Sequence, residues 1–348
     1  MASPAEQEAM RRAVALAAAG LGETSPNPSV GCVLLDAAGR VVGEGRTAPP
    51  GGPHAEVRAL ESAGSAAAGG TAVVTLEPCN HVVRTGRCVG ALLEAGVRRV
   101  VVALRDPNPA AAGGIEALES AGVEVEAGVL ATEARAVTGP WLRAVRTGRP
   151  YLVWKYAATL DGRVAAADGT SQWITSAAAQ ADVHRLRAQV DAIIAGVGTV
   201  FADDPRLTVR NPGPPRQPLR VVVDSSGRTP EHARVRDGAA PTWIATAAEV
   251  GAGADGRVDL AALMSKLYAR DVRYALLEGG PTLAGAFLGA GLVDEVIGYV
   301  APKLLGAGAA ALGTAGIASL DAATELELVD VARVGPDLRL TAVVVKEV

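Results

Sequence analysis

The chain has 348 residues, a length that suits two domains of ordinary size. Its net charge of −4, its 3% aromatic content and the lack of a basic block argue against nucleic acid as the main partner. Three cysteines are too few for a disulfide framework, and no apolar stretch has the length of a membrane span or the setting of a signal peptide. We therefore expect a cytoplasmic protein with reduced thiols.

Apolar runs bounded by turn residues alternate with helical patterns in the first part of the chain, which predicts an α/β domain. The predicted helices cover residues 5–21, 55–63, 89–95, 116–121 and 130–145. The predicted strands cover residues 30–35, 41–45, 72–75, 99–104 and 123–126. A polar break with Gly and Pro follows at 146–150, so we place the domain boundary there, with domains over 1–147 and 148–348.

The second part of the chain also reads as α/β. Its predicted strands cover residues 151–157, 192–195, 219–223, 242–245, 274–277 and 296–300. Its predicted helices cover residues 177–189, 260–270 and 283–290. Two last strands, 326–334 and 338–345, flank a Gly-Pro-Asp turn and predict an antiparallel pair, so the sheet of this domain should be mixed.

A set of residues in the first domain suits catalytic zinc. His54 and Glu56 open a predicted helix, Cys79 follows a strand, and Cys88 opens the next helix. One imidazole and two thiolates suit tetrahedral zinc and leave the fourth position for water, beside which Glu56 would act as general base and acid. Each residue alone could be structural, His54 as a helix cap and the cysteines as buried thiols, but the set favours zinc. Cys32, inside a strand, is interpreted as a core residue.

In the second domain, Lys155 lies within an apolar strand. It must reach either a partner or solvent at the end of the sheet, because a buried unpaired ammonium is costly. Two glycine turns, at 196–199 and 278–282, follow strands, and backbone amides at such turns can hold a phosphate. Neither turn spells the dinucleotide-binding fingerprint, so each could also be a plain connection.

Together these motifs resemble the RibD family of bacterial bifunctional riboflavin biosynthesis proteins, over nearly the whole chain. The resemblance is carried by His54-Ala55-Glu56, Thr75-Leu76-Glu77-Pro78-Cys79, Cys88, Lys155, Asp203-Asp204-Pro205 and Glu278-Gly279-Gly280-Pro281-Thr282. It implies a cytidine-deaminase-like α/β/α domain followed by a dihydrofolate-reductase-like mixed-sheet domain. It further implies zinc-dependent deamination of 2,5-diamino-6-(5-phosphoribosylamino)pyrimidin-4-one. NADPH-dependent reduction of the ribosyl chain of 5-amino-6-(5-phosphoribosylamino)uracil to ribityl would follow.

The resemblance also implies roles for individual residues. Zinc would be bound by His54, Cys79 and Cys88, and the catalytic residues would be Glu56, Lys155 and Asp203. The implied NADPH contacts are Ala157, Trp173, Thr199, Asp203, Ser225, Gly280, Pro281, Thr282, Leu283, Ala284, Gly285 and Ala286. The implied substrate contacts are Asn27, His81, Arg84, Ser171, Arg187, Leu207, Arg210 and Glu278. Arg187 and Arg210 suit a sugar phosphate, because a guanidinium fork matches phosphate oxygens.

The chain departs from the family pattern at Thr47, Val82, Val83 and Arg87. The family usually has a histidine in place of Thr47, a His-Gly or Thr-Gly pair in place of Val82-Val83, and a proline in place of Arg87. These departures put the substrate affinity and rate of the deaminase half in question. One alternative is therefore a reductase whose deaminase half is impaired or takes another substrate. A nucleic-acid deaminase is disfavoured by the acidic balance and by the reductase half. The sequence leaves open the rates, transfer of intermediate between sites and whether the chain forms a homo-oligomer.

Overall fold

A five-stranded mixed sheet forms the centre of the first unit, which spans Met1–Gly148. The structure is a computed structural model that describes residues 1–80, 88–210 and 216–345. The strands are β1 (Gly31–Leu35), β2 (Val41–Arg46), β3 (Thr71–Leu76), β4 (Arg99–Leu104) and β5 (Glu124–Ala127). Their order is β2-β1-β3-β4-β5, with β1 antiparallel to both of its neighbours and β3, β4 and β5 parallel.

The helices of this unit are α1 (Pro4–Ala18), α2 (Ala55–Ala63), α3 (Cys88–Glu94), α4 (Gly114–Ser120) and α5 (Ala131–Thr147), with a 3₁₀ turn at Gly64–Ala67. A capping box starts α1, since the Ser3 hydroxyl accepts from the Glu6 amide and the Glu6 carboxylate accepts from the Ser3 amide. The predicted elements are present, with ends that differ by three residues or fewer. Cys32 is completely buried in the core, which confirms its interpretation.

The second unit, Arg149–Val348, contains an eight-stranded sheet. Its strands are β6 (Tyr151–Thr159), β7 (Ala192–Gly196), β8 (Leu219–Val223), β9 (Thr242–Ala245), β10 (Tyr274–Leu277), β11 (Glu295–Ala301), β12 (Leu326–Val334) and β13 (Asp337–Val344). The order is β12-β13-β11-β6-β10-β7-β8-β9. The run from β11 to β9 is parallel, and β13 and β12 close the sheet in antiparallel fashion, so the predicted mixed sheet is confirmed.

The helices of the second unit are α6 (Ala177–Gln189), α7 (Val197–Asp203), α8 (Ala247–Val250), α9 (Leu260–Ala269) and α10 (Pro281–Gly289), with 3₁₀ turns at Arg234–Arg236 and Leu320–Ala322. Helices α7 and α8 were not predicted: the start of α7 was interpreted as the glycine turn at 196–199, and α8 has only four residues, too few to show a helical period. Hydrophobic cores lie on both faces of the sheet, because neighbouring strand residues such as Leu276 and Leu277 point to opposite faces.

The contacts within the chain divide it into two units after Gly148. The predicted boundary, after residue 147, differs from this by one residue. Gly148 ends α5 with a φ of 65°, a left-handed conformation that glycine adopts readily. None of the helices within the described ranges combines the length and the apolar character needed to cross a membrane.

Close packing of α1 on β1 generates a stability prediction. A Cβ atom at Gly31 would lie 1.9 Å from the Ala13 carbonyl oxygen, so Gly31→Ala must push the helix off the strand. We expect a loss of about 1–3 kcal/mol in the free energy of unfolding, measured by urea denaturation. The matched control is Gly139→Ala in α5, where the added Cβ meets only the Arg135 side chain at 3.4 Å. Equal stability of the two variants would contradict the proposed packing constraint.

Candidate active sites

Three potential metal ligands meet in the first unit. The Nδ1 atom of His54 lies 3.2 Å from the Cys88 sulfur and 3.6 Å from the Cys79 sulfur, and the two sulfurs are 3.4 Å apart. In a tetrahedral zinc site with bonds of about 2.3 Å to sulfur and about 2.0 Å to nitrogen, the ligand atoms lie about 3.5–3.8 Å apart. The donor types and their spacing therefore fit zinc. In the parts of the chain that the structure describes, this is the cluster whose ligand atoms all lie within 4.8 Å of one another.

Local structure leaves the three ligands free to converge. His54 is the N-cap residue of α2, but its side chain makes no capping hydrogen bond and turns to the cysteines instead. The alternative interpretation, in which the His54 side chain caps α2, is therefore wrong. Cys79 follows β3 and Cys88 begins α3, and both thiols are buried against Ala111.

Glu56 lies in the first turn of α2, two residues after His54, and its side chain is buried. Burial raises the pKa of this carboxyl group, although a hydrogen bond with Cys88 opposes the shift. A carboxyl group whose pKa is raised is a stronger base and is therefore better suited to take up a proton and return it. Between the cysteines, the shared hydrogen bond lowers the pKa of Cys79 and raises that of Cys88.

The remaining predicted residues of the first unit are partly described. Asn27 lies in the loop before β1, where its amide donates to the Thr24 carbonyl at 2.9 Å. Thr47 is buried, and its hydroxyl accepts from the Val30 amide at 3.1 Å, which ties the end of β2 to the start of β1. Of the other predicted residues, those outside the described ranges are His81, Val82, Val83, Arg84 and Arg87.

A charged cluster occupies the second unit. Glu278, directly after β10, forms a two-pronged ion pair with Arg187 of α6, at 2.5 Å to Nε and 2.9 Å to Nη2. The ammonium of Lys155 on β6 lies 3.6 Å from the same carboxylate. All three side chains are largely buried, so Lys155 has reached a partner and not solvent. Burial raises the pKa of Glu278, but Arg187 and Lys155 outweigh it and lower the pKa to about 2.

His184 joins this cluster and was missed by the sequence analysis. Its ring lies on α6, and its Nε2 atom is 3.1 Å from Nη2 of Arg210. Burial lowers the pKa of His184, and the charges of Arg187 and Arg210 lower it further. The only sequence signal was its position three residues before Arg187, which places both side chains on one helix face. Lys155, Arg187 and Arg210 outnumber the single carboxylate of Glu278, so the cluster suits an anionic group.

The segment around Leu207 is held by contacts from several elements. Leu207 is buried with a φ of 49°, a conformation that is costly for a branched side chain. The preceding carbonyl, of Arg206, accepts from the fully buried guanidinium of Arg220 at 3.2 Å. The following carbonyl, of Thr208, accepts from Arg187 at 3.1 Å. The backbone next to Arg210 is therefore anchored on both sides of Leu207.

Several predicted cofactor residues lie where parallel strands end. Gly280 follows β10, and its amide donates to the Thr199 hydroxyl of α7 at 3.2 Å. The Ser171 hydroxyl donates to Asp203, at the end of α7, at 3.1 Å. The structure thus pairs Thr199 with the Gly280 turn and Ser171 with Asp203, while Lys155 pairs with Glu278.

Other predicted cofactor residues have separate settings. Trp173 is 64% exposed, and its carbonyl accepts from the Lys303 ammonium at 2.9 Å. The Ser225 hydroxyl, just after β8, accepts from the Val258 amide at 3.1 Å. Ala157 lies on β6 opposite Tyr299 of β11.

The predicted cofactor turn at 280–286 forms the first part of α10. Gly280 is the N-cap and Pro281 the first helical residue, so the Thr282 amide has no carbonyl one turn earlier within the helix, whereas the Leu283 amide donates to the Gly280 carbonyl at 3.1 Å. Gly285 is required for packing, because its Cβ would lie 2.5 Å from the Thr314 carbonyl oxygen. Two further residues of the predicted cofactor turn differ in exposure: Ala284 is buried in the core and Ala286 is exposed.

Known protein families match both units. Residues 3–104 match the family model described as the cytidine and deoxycytidylate deaminase zinc-binding region, and residues 150–340 match the RibD C-terminal domain. A riboflavin biosynthesis protein RibD of Mycobacterium tuberculosis is 48% identical, with 92% of each chain covered. The RibD of Escherichia coli is 45% identical, with 95% of this chain and 97% of the relative covered.

Solved structures give the same result. Acinetobacter baumannii RibD superimposes with a TM-score of 0.89 at 40% identity and covers 98% of this chain and 99% of its own. A Thermotoga maritima protein, described as a diaminohydroxyphosphoribosylaminopyrimidine deaminase/5-amino-6-(5-phosphoribosylamino)uracil reductase, also has a TM-score of 0.89, at 33% identity and with the same coverage.

Fold and site together define a bifunctional enzyme in which a cytidine-deaminase-like domain with a zinc site precedes a reductase domain. The chain belongs to the RibD family of riboflavin biosynthesis proteins. It is a zinc-dependent deaminase and an NADPH-dependent reductase of that pathway. These relatives match more than nine tenths of the chain, which includes most of the deaminase half. The match therefore does not favour the alternative in which the deaminase half is impaired.

The ligand geometry predicts the zinc content of cysteine variants. Purified protein should hold about one zinc per chain, and Cys79→Ser and Cys88→Ser should each lose most of it, because a hydroxyl replaces a thiolate ligand. Elemental analysis gives the measurement. Cys32→Ser is the matched control, because this thiol is buried in the core and should leave zinc content unchanged. Full zinc occupancy in both ligand variants would rule the site out.

The charged cluster predicts how Glu278→Gln affects stability. Removal of the carboxylate leaves Lys155 and Arg187 buried without their counter-charge, and breaking such a pair typically costs about 3–5 kcal/mol. Urea denaturation should show this loss, and inorganic phosphate should restore part of it by supplying an anion. Glu327→Gln, at an exposed position on β12, is the control. A variant as stable as the parent would show that the carboxylate does not hold the two cations.

Proposed function

We propose that the first unit deaminates 2,5-diamino-6-(5-phosphoribosylamino)pyrimidin-4-one. We propose that the second unit then reduces the ribosyl chain of the resulting 5-amino-6-(5-phosphoribosylamino)uracil to ribityl. The observation that carries the first step is the convergence of His54, Cys79 and Cys88 beside a buried carboxyl group. The name of the Thermotoga maritima relative supports the choice of substrates.

In the deaminase half, His54, Cys79 and Cys88 would hold zinc. Zinc bound there makes a water molecule acidic enough to lose a proton near neutral pH. Glu56 takes that proton and returns it to the departing amine, so that ammonia leaves as water adds to the ring carbon. Burial of Glu56 keeps solvent from competing for the proton. Asn27, His81 and Arg84 are proposed to contact the pyrimidine and its ribose phosphate.

In the reductase half, the cationic cluster would bind the substrate phosphate. Arg210 offers its guanidinium, while Arg187 is tied to Glu278 and to the Thr208 carbonyl and would use its remaining N–H groups. Ser171, Leu207 and Glu278 complete the proposed substrate contacts.

When bound, NADPH would supply the hydride for reduction of the first carbon of the opened sugar. Its proposed contacts are Ala157, Trp173, Thr199, Asp203, Ser225 and the turn at 280–286. Lys155 and Asp203 are proposed to orient the opening sugar. The ammonium of Lys155 lies 3.6 Å from the Glu278 carboxylate, and this ion pair restrains its position as a hydrogen-bond donor.

The proposed partners are small phosphoribosylated pyrimidines. A cytoplasmic location and the absence of nucleic-acid or membrane partners remain parts of the proposal, which does not extend to a homo-oligomeric state.

The general-base assignment is tested by Glu56→Gln. This variant should keep zinc and fold but lose deamination by at least about a hundredfold, because the amide cannot accept the proton. Ammonia release from the first substrate and NADPH oxidation with the second are followed separately. Reduction of the second substrate should continue at the parent rate.

Glu61→Gln, at an exposed position on the same helix, is the matched control and should behave as the parent protein. Near-normal ammonia release by Glu56→Gln would show that another group moves the proton.

A further inference from the structure

Glu77 carries a buried carboxylate that takes no part in the steps above. It stands between β3 and the proposed zinc ligand Cys79, and only 5% of it is exposed. Both carboxylate oxygens accept hydrogen bonds from backbone amides of residues 106–115, which comprise the loop after β4 and the first two residues of α4 and are called loop 106–115 below. Oε2 accepts from Asp106 at 3.1 Å, and Oε1 accepts from Gly113 at 3.0 Å, Gly114 at 2.9 Å and Ile115 at 3.2 Å.

The chain is tied to this loop on both sides of Cys79. On one side, the Glu77 amide donates to the Leu104 carbonyl at 2.8 Å. On the other, the Asn80 amide donates to the Ala111 carbonyl at 3.2 Å, and the Asn80 side chain donates to the Gly113 carbonyl at 3.4 Å. Ala111 itself packs against the thiols of Cys79 and Cys88. Through Ala111, the loop therefore packs directly against the two sulfurs.

Close packing adds to these hydrogen bonds. A Cβ atom on Gly114 would lie 1.8 Å from the Pro78 carbonyl oxygen, so the start of α4 touches the residue that joins Glu77 to Cys79. Little freedom is left for the Cys79 backbone, because hydrogen bonds hold the residues on either side of it and packing holds Pro78.

We propose that Glu77 is a positioning residue, which holds the Cys79 sulfur in place for zinc by anchoring loop 106–115. Hydrogen bonds to a carboxylate are stronger than neutral ones, and four converge here. In the Gln variant, an NH₂ group replaces one acceptor oxygen and meets a backbone N–H that it cannot satisfy. Groups that orient a metal ligand typically affect metal affinity by 10–100-fold when they are removed. This inference rests on the proposed zinc site.

The test uses the full chain with Glu77→Gln and Gly114→Ala, which disturb Pro78 and Cys79 by independent routes. Zinc affinity is measured by competition with a chromophoric chelator, and we expect it to fall by about 10–100-fold in both variants. Cobalt(II) is then added to the zinc-free proteins, and the sulfur-to-cobalt absorption band should change in position or intensity. NADPH oxidation by the second unit should stay at the parent level.

Matched controls are Glu116→Gln, at an exposed position on α4, and Gly139→Ala, where a Cβ has room. Both should bind zinc and cobalt as the parent does. A third readout is the stabilisation that added zinc gives each protein against unfolding, which reports binding even in a variant that is less stable without metal.

Unchanged zinc affinity, cobalt spectrum and zinc-induced stabilisation in Glu77→Gln would overturn the inference, even if the variant is less stable. That result would mean that Glu77 serves the fold alone. Cys79→Ser distinguishes this outcome from failure of the zinc site, because unimpaired zinc binding by Cys79→Ser would remove the site itself. Loss of zinc by Cys79→Ser, with normal binding by Glu77→Gln, would remove only the positioning role.

Discussion

Neighbouring parallel strands end at a common edge of their sheet, and both candidate sites are built at such an edge. In the first unit, β3 and β4 are parallel, so Cys79 and the loop after β4 leave the sheet side by side. In the second unit, β6, β10 and β7 are parallel, so Glu278 and the Gly280 turn emerge beside the start of α7. Residues that are distant along the chain converge because strand direction puts the loops together.

A buried carboxylate lies at each edge, and the two are neutralised in different ways. Glu77 accepts hydrogen bonds from four backbone amides, which are dipoles fixed by the fold and solvate its charge. Glu278 is surrounded by the cations Lys155 and Arg187, which themselves need a counter-charge when they are buried. The first arrangement suits a rigid support. The second suits a site that receives an anion, since the cations outnumber the carboxylate.

Much of the fold could be predicted because its signals are local. Strands such as β4 and β10 contain runs of apolar residues, and α6 follows a serine that caps it. The helices that escaped prediction are α7, whose start was interpreted as a glycine turn at 196–199, and α8, whose four residues show no readable period. The contacts of Glu77 also escaped, because nothing in a Leu-Glu-Pro-Cys stretch shows that its glutamate will meet four amides of a loop some thirty residues later.

The sequence by itself determined the chemistry available to this protein. His54, Glu56, Cys79 and Cys88 stand at helix starts and a strand end in a pattern that predicts zinc, and the order of motifs indicates the family. Only the tertiary structure decided which side chains meet. Arg187 and Glu278 lie 91 residues apart, and the pairing of Lys155 and the approach of His184 depend on strand order. Periodicity and turn residues report the environment of each segment, whereas a charged pair depends on the relative position of two segments.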